Sequence, residues 1–319
     1  MSDAFLSLRL HSVTYEAEDI RSFEFRSPDE VSLPPYTAGA HVDLRLPGGI
    51  ERSYSLLDSG GPLNRYRVAV QRAAESRGGS AFMFDGLKVG DIVQVTRPAN
   101  SFELDELAPL TVLIGGGIGI TPLSCMIQRL EALGKEWRLY YASRTRSRAA
   151  FLSSFAKLER SAAGRVTMVF DQEPGQKMLD LPAVIGAHPP GTHFYCCGPA
   201  RMLKAFEQAT SGLPPECVHV EYFASDQAPA KGGFEVELAR SGTLIFVPEN
   251  KTILETLLAR GMDVPRSCMS GVCGTCETAV IEGTPDHRDH VLSARERASN
   301  RKMMICCSGS LSPRLVLDL

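Results

Sequence analysis

Apolar and polar positions alternate with two different periods along this chain, and the change of period divides it. Through the first hundred residues they alternate in short runs: Leu6–His11, Ile20–Arg26, His41–Leu46, Arg52–Leu56, Tyr66–Gln71 and Asp91–Thr96. Pro47-Gly48-Gly49 and Ser59-Gly60-Gly61-Pro62 punctuate these runs at the spacing of a small antiparallel barrel. The pattern changes near Pro109. Thr111–Ile114 is a short buried-strand run ending in a glycine cluster. From Pro122, residues Leu123, Met126, Ile127 and Leu130 share one helical face, with Gly134 as the stop. Strand-like and helix-like segments then alternate: Arg138–Ala142, Ala149–Arg160, Val166–Phe170, Phe194–Cys197, Arg201–Thr210 and Val218–Phe223. Such alternation predicts a parallel sheet with helices on both faces.

Ser225–Gly233 is small and polar and reads as a linker. Beyond it, Phe234–Leu238 and Leu244–Val247 flank Arg240-Ser241-Gly242 as a hairpin, and Lys251–Arg260 is a short helix stopped by Gly261. The expected division is therefore 1–106, 107–225, a linker at 226–233, and 234–319.

With 319 residues, 44% hydrophobic and 22% charged, the chain has the composition of an ordinary globular protein of two or three domains. A net charge of −3 argues against a nucleic-acid binder, which usually carries a basic excess. No apolar run approaches the roughly 20 residues needed to cross a bilayer. Met1-Ser2-Asp3-Ala4-Phe5 lacks a basic segment followed by an apolar core. The expectation is a cytoplasmic protein, whose nine cysteines are then not disulfides.

Five of the nine cysteines fall in the last 52 residues, which points to a site. The spacing Cys268-x4-Cys273-x2-Cys276, with Cys306 further on, is that of a plant-type [2Fe–2S] centre. Three thiolates from one tight loop must converge on two irons, and Gly271 and Gly274 sit where the backbone would curl to face its N–H groups to the sulfurs. Ser270 and Thr275 are further candidate donors. A structural zinc usually arrives as two short C-x2–4-C knuckles, and the second knuckle is absent here. Cys307 competes with Cys306 for the fourth place; on a strand, neighbours point to opposite faces, so only one of them could reach the metal.

Gly115-Gly116-Gly117-Ile118-Gly119-Ile120-Thr121-Pro122 links a strand to a helix, the arrangement that cradles a pyrophosphate. It is not the G-x-G-x-x-G fingerprint, because Ile120 takes the third glycine's place. Nor does the second strand end in a ribose-binding acid; Ser143 and Arg144 stand there as the candidate cofactor-binding residues. Cys196-Cys197-Gly198-Pro199 lies at a second strand-to-helix junction, on the edge where open α/β sheets bind ligands. His41, His193 and His219 read as structural. His287 and His290 read as loop and hydrogen-bonding residues, since a Rieske-type role would need histidine in place of two cysteines.

These segments together resemble a known family. Arg52-Ser53-Tyr54-Ser55 matches an R-x-Y-S flavin motif, Gly116–Pro122 a GGIGITP loop and Cys197-Gly198-Pro199 a CGP. With the C-terminal cysteine motif, the chain resembles the phthalate dioxygenase reductase family (class IA oxygenase reductases, including the vanillate O-demethylase reductases) over essentially its whole length. The resemblance implies an FMN-binding antiparallel β-barrel, a ferredoxin-reductase-like parallel-sheet nicotinamide domain, and an α+β β-grasp ferredoxin domain.

It also implies residue roles. Arg52 contacts the flavin phosphate or ribityl region, beside Ser53; Tyr54 packs on the ring and Ser55 hydrogen-bonds near its N5. Arg77-Gly78-Gly79-Ser80 resembles a phosphate site, where an opening helix favours an anion. Gly116, Gly117, Gly119 and Pro122 belong to the nucleotide loop; Thr121 and Cys197 line the nicotinamide pocket with Gly198 and Pro199. In Glu221-Tyr222-Phe223, Phe223 matches the aromatic set against the flavin, with Tyr222 as rival. The resemblance favours Cys306 over Cys307.

The implied activity passes electrons from NADH through FMN, which handles both two-electron and one-electron exchange, to [2Fe–2S]. The implied acceptor is a Rieske non-haem iron oxygenase or demethylase of aromatic catabolism, served by a monomer with no nucleic acid or membrane partner. NADH follows from the family, although Arg144, Arg146 and Arg148 could pair with a 2′-phosphate. Residues 234–319 carry 11 acidic and 10 basic side chains, so charge marks no docking face. The alternative is a stand-alone NAD(P)H diaphorase reducing quinones or a soluble carrier.

Overall fold

The computed structural model describes residues 5–59, 64–73, 78–161, 164–223 and 228–319. Arg77, most of the Ser59–Pro62 turn and part of the 225–233 segment lie outside them. The chain forms two compact units, Met1–Glu221 and Tyr222–Leu319. Among the described residues no helix is long and apolar enough to cross a membrane.

The first unit holds two sheets. Strands β1 (Phe5–Ala17), β2 (Ile20–Arg26), β3 (His41–Leu46), β4 (Ile50–Ser55), β5 (Arg65–Gln71) and β6 (Ile92–Thr96) form an antiparallel sheet in the order β4-β3-β6-β1-β2-β5. Its two edges are joined where Leu56 bridges Val68 and the Leu57 N–H donates to the Arg67 carbonyl, closing the sheet on itself. Alternate residues point inward: Leu8 and Leu10, Phe23 and Phe25, Val42, Leu44 and Leu46, Tyr66, Val68 and Val70 make one dry core. A short helix, α1 (Gly79–Ala81), runs into a wider turn, Phe82–Gly86, closed by the Leu87 N–H on the Phe82 carbonyl.

The second sheet comprises β7 (Thr111–Gly116), β8 (Trp137–Ser143), β9 (Val166–Phe170), β10 (His193–Cys197) and β11 (Val218–Glu221), all parallel. Strand β7 extends two residues beyond its apolar run, through Gly115 and Gly116. The connecting helices are α2 (Ile120–Ala132), α3 (Leu152–Ser161), α4 (Leu181–Gly186) and α5 (Ala200–Thr210). Helix α2 starts two residues before Pro122, since proline is tolerated in a first turn whose N–H groups have no helical partner. Helix α3 starts later than the pattern suggests, because Phe151 takes a left-handed φ of 61°.

The second unit carries the hairpin β12 (Phe234–Leu238) and β13 (Thr243–Val247), then α6 (Ile253–Ala259), β14 (Glu277–Glu282), β15 (Pro285–Asp286), α7 (Ala294–Ser299), β16 (Lys302–Met304), β17 (Gly309–Ser310) and β18 (Arg314–Leu317). The main sheet runs β13-β12-β18-β14-β16, with β12 and β18 parallel; β15 and β17 pair apart from it. Helix α6 is fixed by a capping box between Thr252 and Glu255, and Ile253, Leu254 and Leu257 bury against Val236, Leu238, Ile245 and Val247.

Candidate functional site

In the second unit the segment from α6 to β14 carries three thiols. A Cβ on Gly271 (φ 72°) would lie 2.5 Å from the Cys307 sulfur, so only glycine lets the loop fold down here. The curl turns backbone N–H groups onto the sulfurs: those of Ser270 and Val272 face Cys268, that of Thr275 faces Cys273, and that of Gly271 faces Cys306.

The thiols meet as two hydrogen-bonded pairs, Cys268 with Cys273 and Cys276 with Cys306. Among the described residues, no three His, Cys, Asp or Glu side chains converge on one point. Two pairs suit two irons that each take two cysteine sulfurs, whereas a structural zinc needs four donors around one atom. The bond from Cys268 pulls Cys273 down to about 5 and pushes Cys268 well up. Cys276 is likewise pushed up by its bond to Cys306. For Cys306 that bond pulls down, but Cys307 and burial together carry it up to about 12.

Cys306 and Cys307 lie in a turn after β16, not on a strand; the N–H groups of Cys307 and Ser308 reach the Met304 carbonyl at 3.3 and 3.0 Å. The opposite-faces argument therefore does not choose between them. Cys306 is distinguished by its pairing with Cys276, while the Cys307 thiol turns to the Met304 carbonyl at 3.8 Å.

The parallel sheet of the first unit has the order β11-β10-β7-β8-β9. Its connections reverse direction between β7 and β10, the place where open α/β sheets bind ligands. Strand β7 ends in Gly116-Gly117-Ile118-Gly119, and β10 ends in Cys197-Gly198-Pro199. These loops touch: a Cβ on Gly119 would lie 2.2 Å from the Cys197 carbonyl oxygen. The buried Thr121 hydroxyl donates to the Ile118 carbonyl at 3.0 Å.

Cys197 is wholly buried and in register with Glu221 on β11, and its thiol donates to the Glu221 carboxyl. Burial pushes Glu221 up to about 8, and burial pushes the Cys197 thiol well up. At neutral pH both groups are therefore mainly uncharged. Glu221 as a residue keeps some surface, yet its Oε2 is sealed from solvent and has no hydrogen-bond partner. Sequence reasoning passed over Glu221 in favour of the aromatics after it. The available signal was an acid closing the strand Val218-His219-Val220.

In the barrel, the Arg52 side chain lies over Gly79, so the R-x-Y-S and Gly78-Gly79-Ser80 segments come together. Arg52 donates through Nη1 to the Glu51 carbonyl at 2.7 Å, Ser53 donates to Asp43 at 2.5 Å, and Ser80 accepts from the Ala73 N–H at 3.1 Å. Burial pushes the Tyr54 phenol up to about 12. The Ser55 Oγ is buried without a hydrogen-bond partner. An orphaned hydroxyl in this motif fits a group that a bound flavin would supply.

At the end of β8, Ser143 is buried and Arg144 exposed. Arg146 lies over the Phe170 ring, 4.6 Å from its centroid, and its N–H donates to Glu173 at 2.7 Å. Arg148 pairs with Glu18 at 2.8 Å and Asp19 at 3.5 Å. His219 stacks on Tyr195 (4.1 Å between centroids) and lies 3.2 Å from His193, nitrogen to nitrogen; burial drives it down to about 4.

In the second unit Phe223 is exposed and Tyr222 stacks on His290, with centroids 4.3 Å apart. The His290 N–H donates to the Gly271 carbonyl at 2.8 Å. His287 does not take the hydrogen-bonding role expected of it: both ring nitrogens are buried without a partner.

Fold and sites together define an electron-transfer oxidoreductase that joins a nicotinamide-binding sheet to an iron–sulfur module. Residues 113–208 match the oxidoreductase NAD-binding domain, and residues 236–309 match the 2Fe-2S iron-sulfur cluster binding domain. The chain is similar to phenoxybenzoate dioxygenase subunit beta of Ectopseudomonas oleovorans, with 53% identity over 98% of this chain and 97% of that one. It is 46% identical to the tetrachlorobenzoquinone reductase of Sphingobium chlorophenolicum, over 98% of each chain. The solved structure of phthalate dioxygenase reductase, described as a modular structure for electron transfer from pyridine nucleotides to [2Fe-2S], superposes with a TM-score of 0.80 at 39% identity over 99% of this chain and 98% of that one.

The chain belongs to the phthalate dioxygenase reductase family. It is an NADH-dependent oxidoreductase with that family's cofactors, FMN and a [2Fe–2S] cluster, and it works as the reductase of an oxygenase system.

Proposed function

We propose that the oxygenase partner is a Rieske non-haem iron enzyme acting on an aromatic substrate, and that this chain serves it as a cytoplasmic monomer. The observation that carries the reading is the two hydrogen-bonded thiol pairs on a chain that also carries a nicotinamide sheet edge. FMN, when bound, takes up electrons in pairs and releases them singly, and the [2Fe–2S] cluster, when bound, carries one at a time.

This chain's residues position and insulate. Arg52 with the N–H groups of Gly78, Gly79 and Ser80 holds the flavin phosphate, beside Ser53. Tyr54 would pack along the ring and Ser55 would donate to it. The loop Gly116–Pro122 with Gly198 and Pro199 seats the dinucleotide, and Ser143 and Arg144 hold its ribose end. Thr121, Cys197 and the protonated Glu221 keep the nicotinamide pocket neutral and dry, which suits hydride transfer because water and stray charge compete with it. Cys268, Cys273, Cys276 and Cys306 ligate the cluster.

Preference for NADH is supported by the engagement of Arg148 with Glu18 and Asp19 and of Arg146 with Phe170, which leaves Arg144 alone to meet a 2′-phosphate. The test is reconstitution. Purified holoprotein with NADH and a Rieske oxygenase should reduce the Rieske centre on mixing; reduction of quinones alone would favour the diaphorase reading. That second reading has one specific support, the 46% identity to a tetrachlorobenzoquinone reductase.

A further inference from the structure

The segment Asp286–Ser293 forms a strap behind the thiol centre. On one side it is tied to the Cys306 segment: Asp286 pairs with Gly309, and the Arg288 N–H donates to the Ser308 hydroxyl at 3.2 Å. On the other it is tied to the ligand loop, through the His290 N–H on the Gly271 carbonyl at 2.8 Å. A Cβ on Gly271 would lie 3.1 Å from the Asp289 Cα, so strap and loop are in van der Waals contact.

At the point of contact Asp289 is 0% exposed. Its Oδ2 accepts from the N–H groups of Val291 at 3.1 Å and Leu292 at 2.8 Å, which folds the strap. Its Oδ1 has no hydrogen-bond partner. The basic groups beside it are an arginine and a histidine, and neither hydrogen-bonds the carboxylate. The Arg297 guanidinium on α7 donates to the Asp289 backbone carbonyl and stays 3.8 Å from the carboxylate. His287 Nδ1 is 3.8 Å from Oδ1, too far for a hydrogen bond. Arg288 is held in a two-pronged pair by Asp286, and Glu296 and Lys302 pair with one another.

We infer that Asp289 is a positioning residue of the [2Fe–2S] centre with two effects. It folds the strap that holds both ligand segments, and its buried charge keeps the reduction potential of the cluster low. The physical reason is direct: reduction adds one negative charge to a centre already ligated by four thiolates, and a nearby buried carboxylate opposes that addition. The Arg297 guanidinium, a permanent cation 3.8 Å from Oδ2, is the group that partly offsets the carboxylate. The two residues therefore act on the potential with opposite signs.

The inference rests on the cluster assignment above. The experiment is a redox titration of purified holoprotein followed by electron paramagnetic resonance, with iron content measured alongside. If the reduced wild-type protein gives no iron–sulfur signal, the cluster assignment fails, and that failure is separate from any failure of Asp289. Asp289→Asn keeps an oxygen for the two N–H groups but removes the charge, so the cluster potential should rise while the flavin potential stays. Arg297→Met removes the cation beside the carboxylate, so the potential should fall. Equal potentials in wild type and both variants, at wild-type iron content, would overturn the inference, as would shifts of the same sign. If the Asn variant does not retain iron, Arg297→Met decides alone: a lower potential supports the inference and an unchanged or higher one overturns it.

Discussion

The two chemical centres of this protein are built on opposite principles. The thiol centre in Tyr222–Leu319 is drawn from one nine-residue loop and one distant turn, and its sulfurs face a ring of backbone N–H groups. The nicotinamide centre in the first unit is assembled from the ends of separate strands, and its acid and thiol are held uncharged by burial. One centre turns amides toward its sulfurs, as four thiolates on a cluster would require; the other excludes charge. Single electrons and hydride pairs place these different demands on protein surroundings.

The sharpest way to break this comparison is to remove one sulfur. Cys273→Ser should lower reduction of a one-electron protein acceptor such as cytochrome c by at least about 100-fold, equivalent to about 2.7 kcal/mol. Flavin bleaching by NADH in stopped flow should stay near the wild-type rate. Loss of both would mean that the centres are not separable.

The converse change is Gly119→Ala. Its Cβ would lie 2.2 Å from the Cys197 carbonyl oxygen, so β10 and the glycine loop must move apart. Overpacking of this kind costs roughly 1–3 kcal/mol. The expected result is a lower melting temperature and weaker NADH binding, with the iron–sulfur spectrum unchanged.

Neutrality of the nicotinamide centre has its own test. Glu221 is raised by burial to about 8 from 4.5, so between these values the folded state holds a proton that the unfolded chain has released. Its stabilising effect is complete below about 4.5 and is lost as pH rises to about 8, at a slope of at most about 1.4 kcal/mol per pH unit. Glu221→Gln should remove that component. The check is denaturant unfolding of both proteins across pH 5 to 9, in which their stability difference should change up to about pH 8 and level off above it. A difference independent of pH would show that the acid is ionised in the folded state.

The two centres also differ in how legible they were. The thiol spacing could be read locally, because the ligands lie close in sequence and their geometry leaves few alternatives. Cys306 was the exception: the turn that carries it has no periodic signal, so strand reasoning gave the wrong argument for it. The nicotinamide centre depends on register between strands far apart in the chain, such as Cys197 opposite Glu221, and no local pattern encodes register. The two sheets of the first unit were legible from alternation and apolar runs, whereas of the five-stranded sheet in the second unit only the β12–β13 hairpin was read. Helices α4 and α7 were not; each has only six residues, too short to show a helical period. Asp289 escaped because an acid in a loop looks solvated until its burial is known.

The smallest expected effect probes the thiol centre through its support. Helix α7 is fixed at its start by a capping box: Ser293 accepts from the Glu296 N–H at 3.3 Å, and the Glu296 carboxylate accepts from the Ser293 N–H at 2.9 Å. Ser293→Ala removes one arm, at a typical cost of about 1 kcal/mol. The helix presents Arg297 to the Asp289 carbonyl, so fraying it loosens the strap behind Gly271 without touching a sulfur. Iron should then leave faster to a chelator, while NADH binding and flavin reduction stay at wild-type values because Arg52, Gly119 and Cys197 lie in the other unit. Unchanged iron release would mean that the amide ring alone fixes the ligand loop.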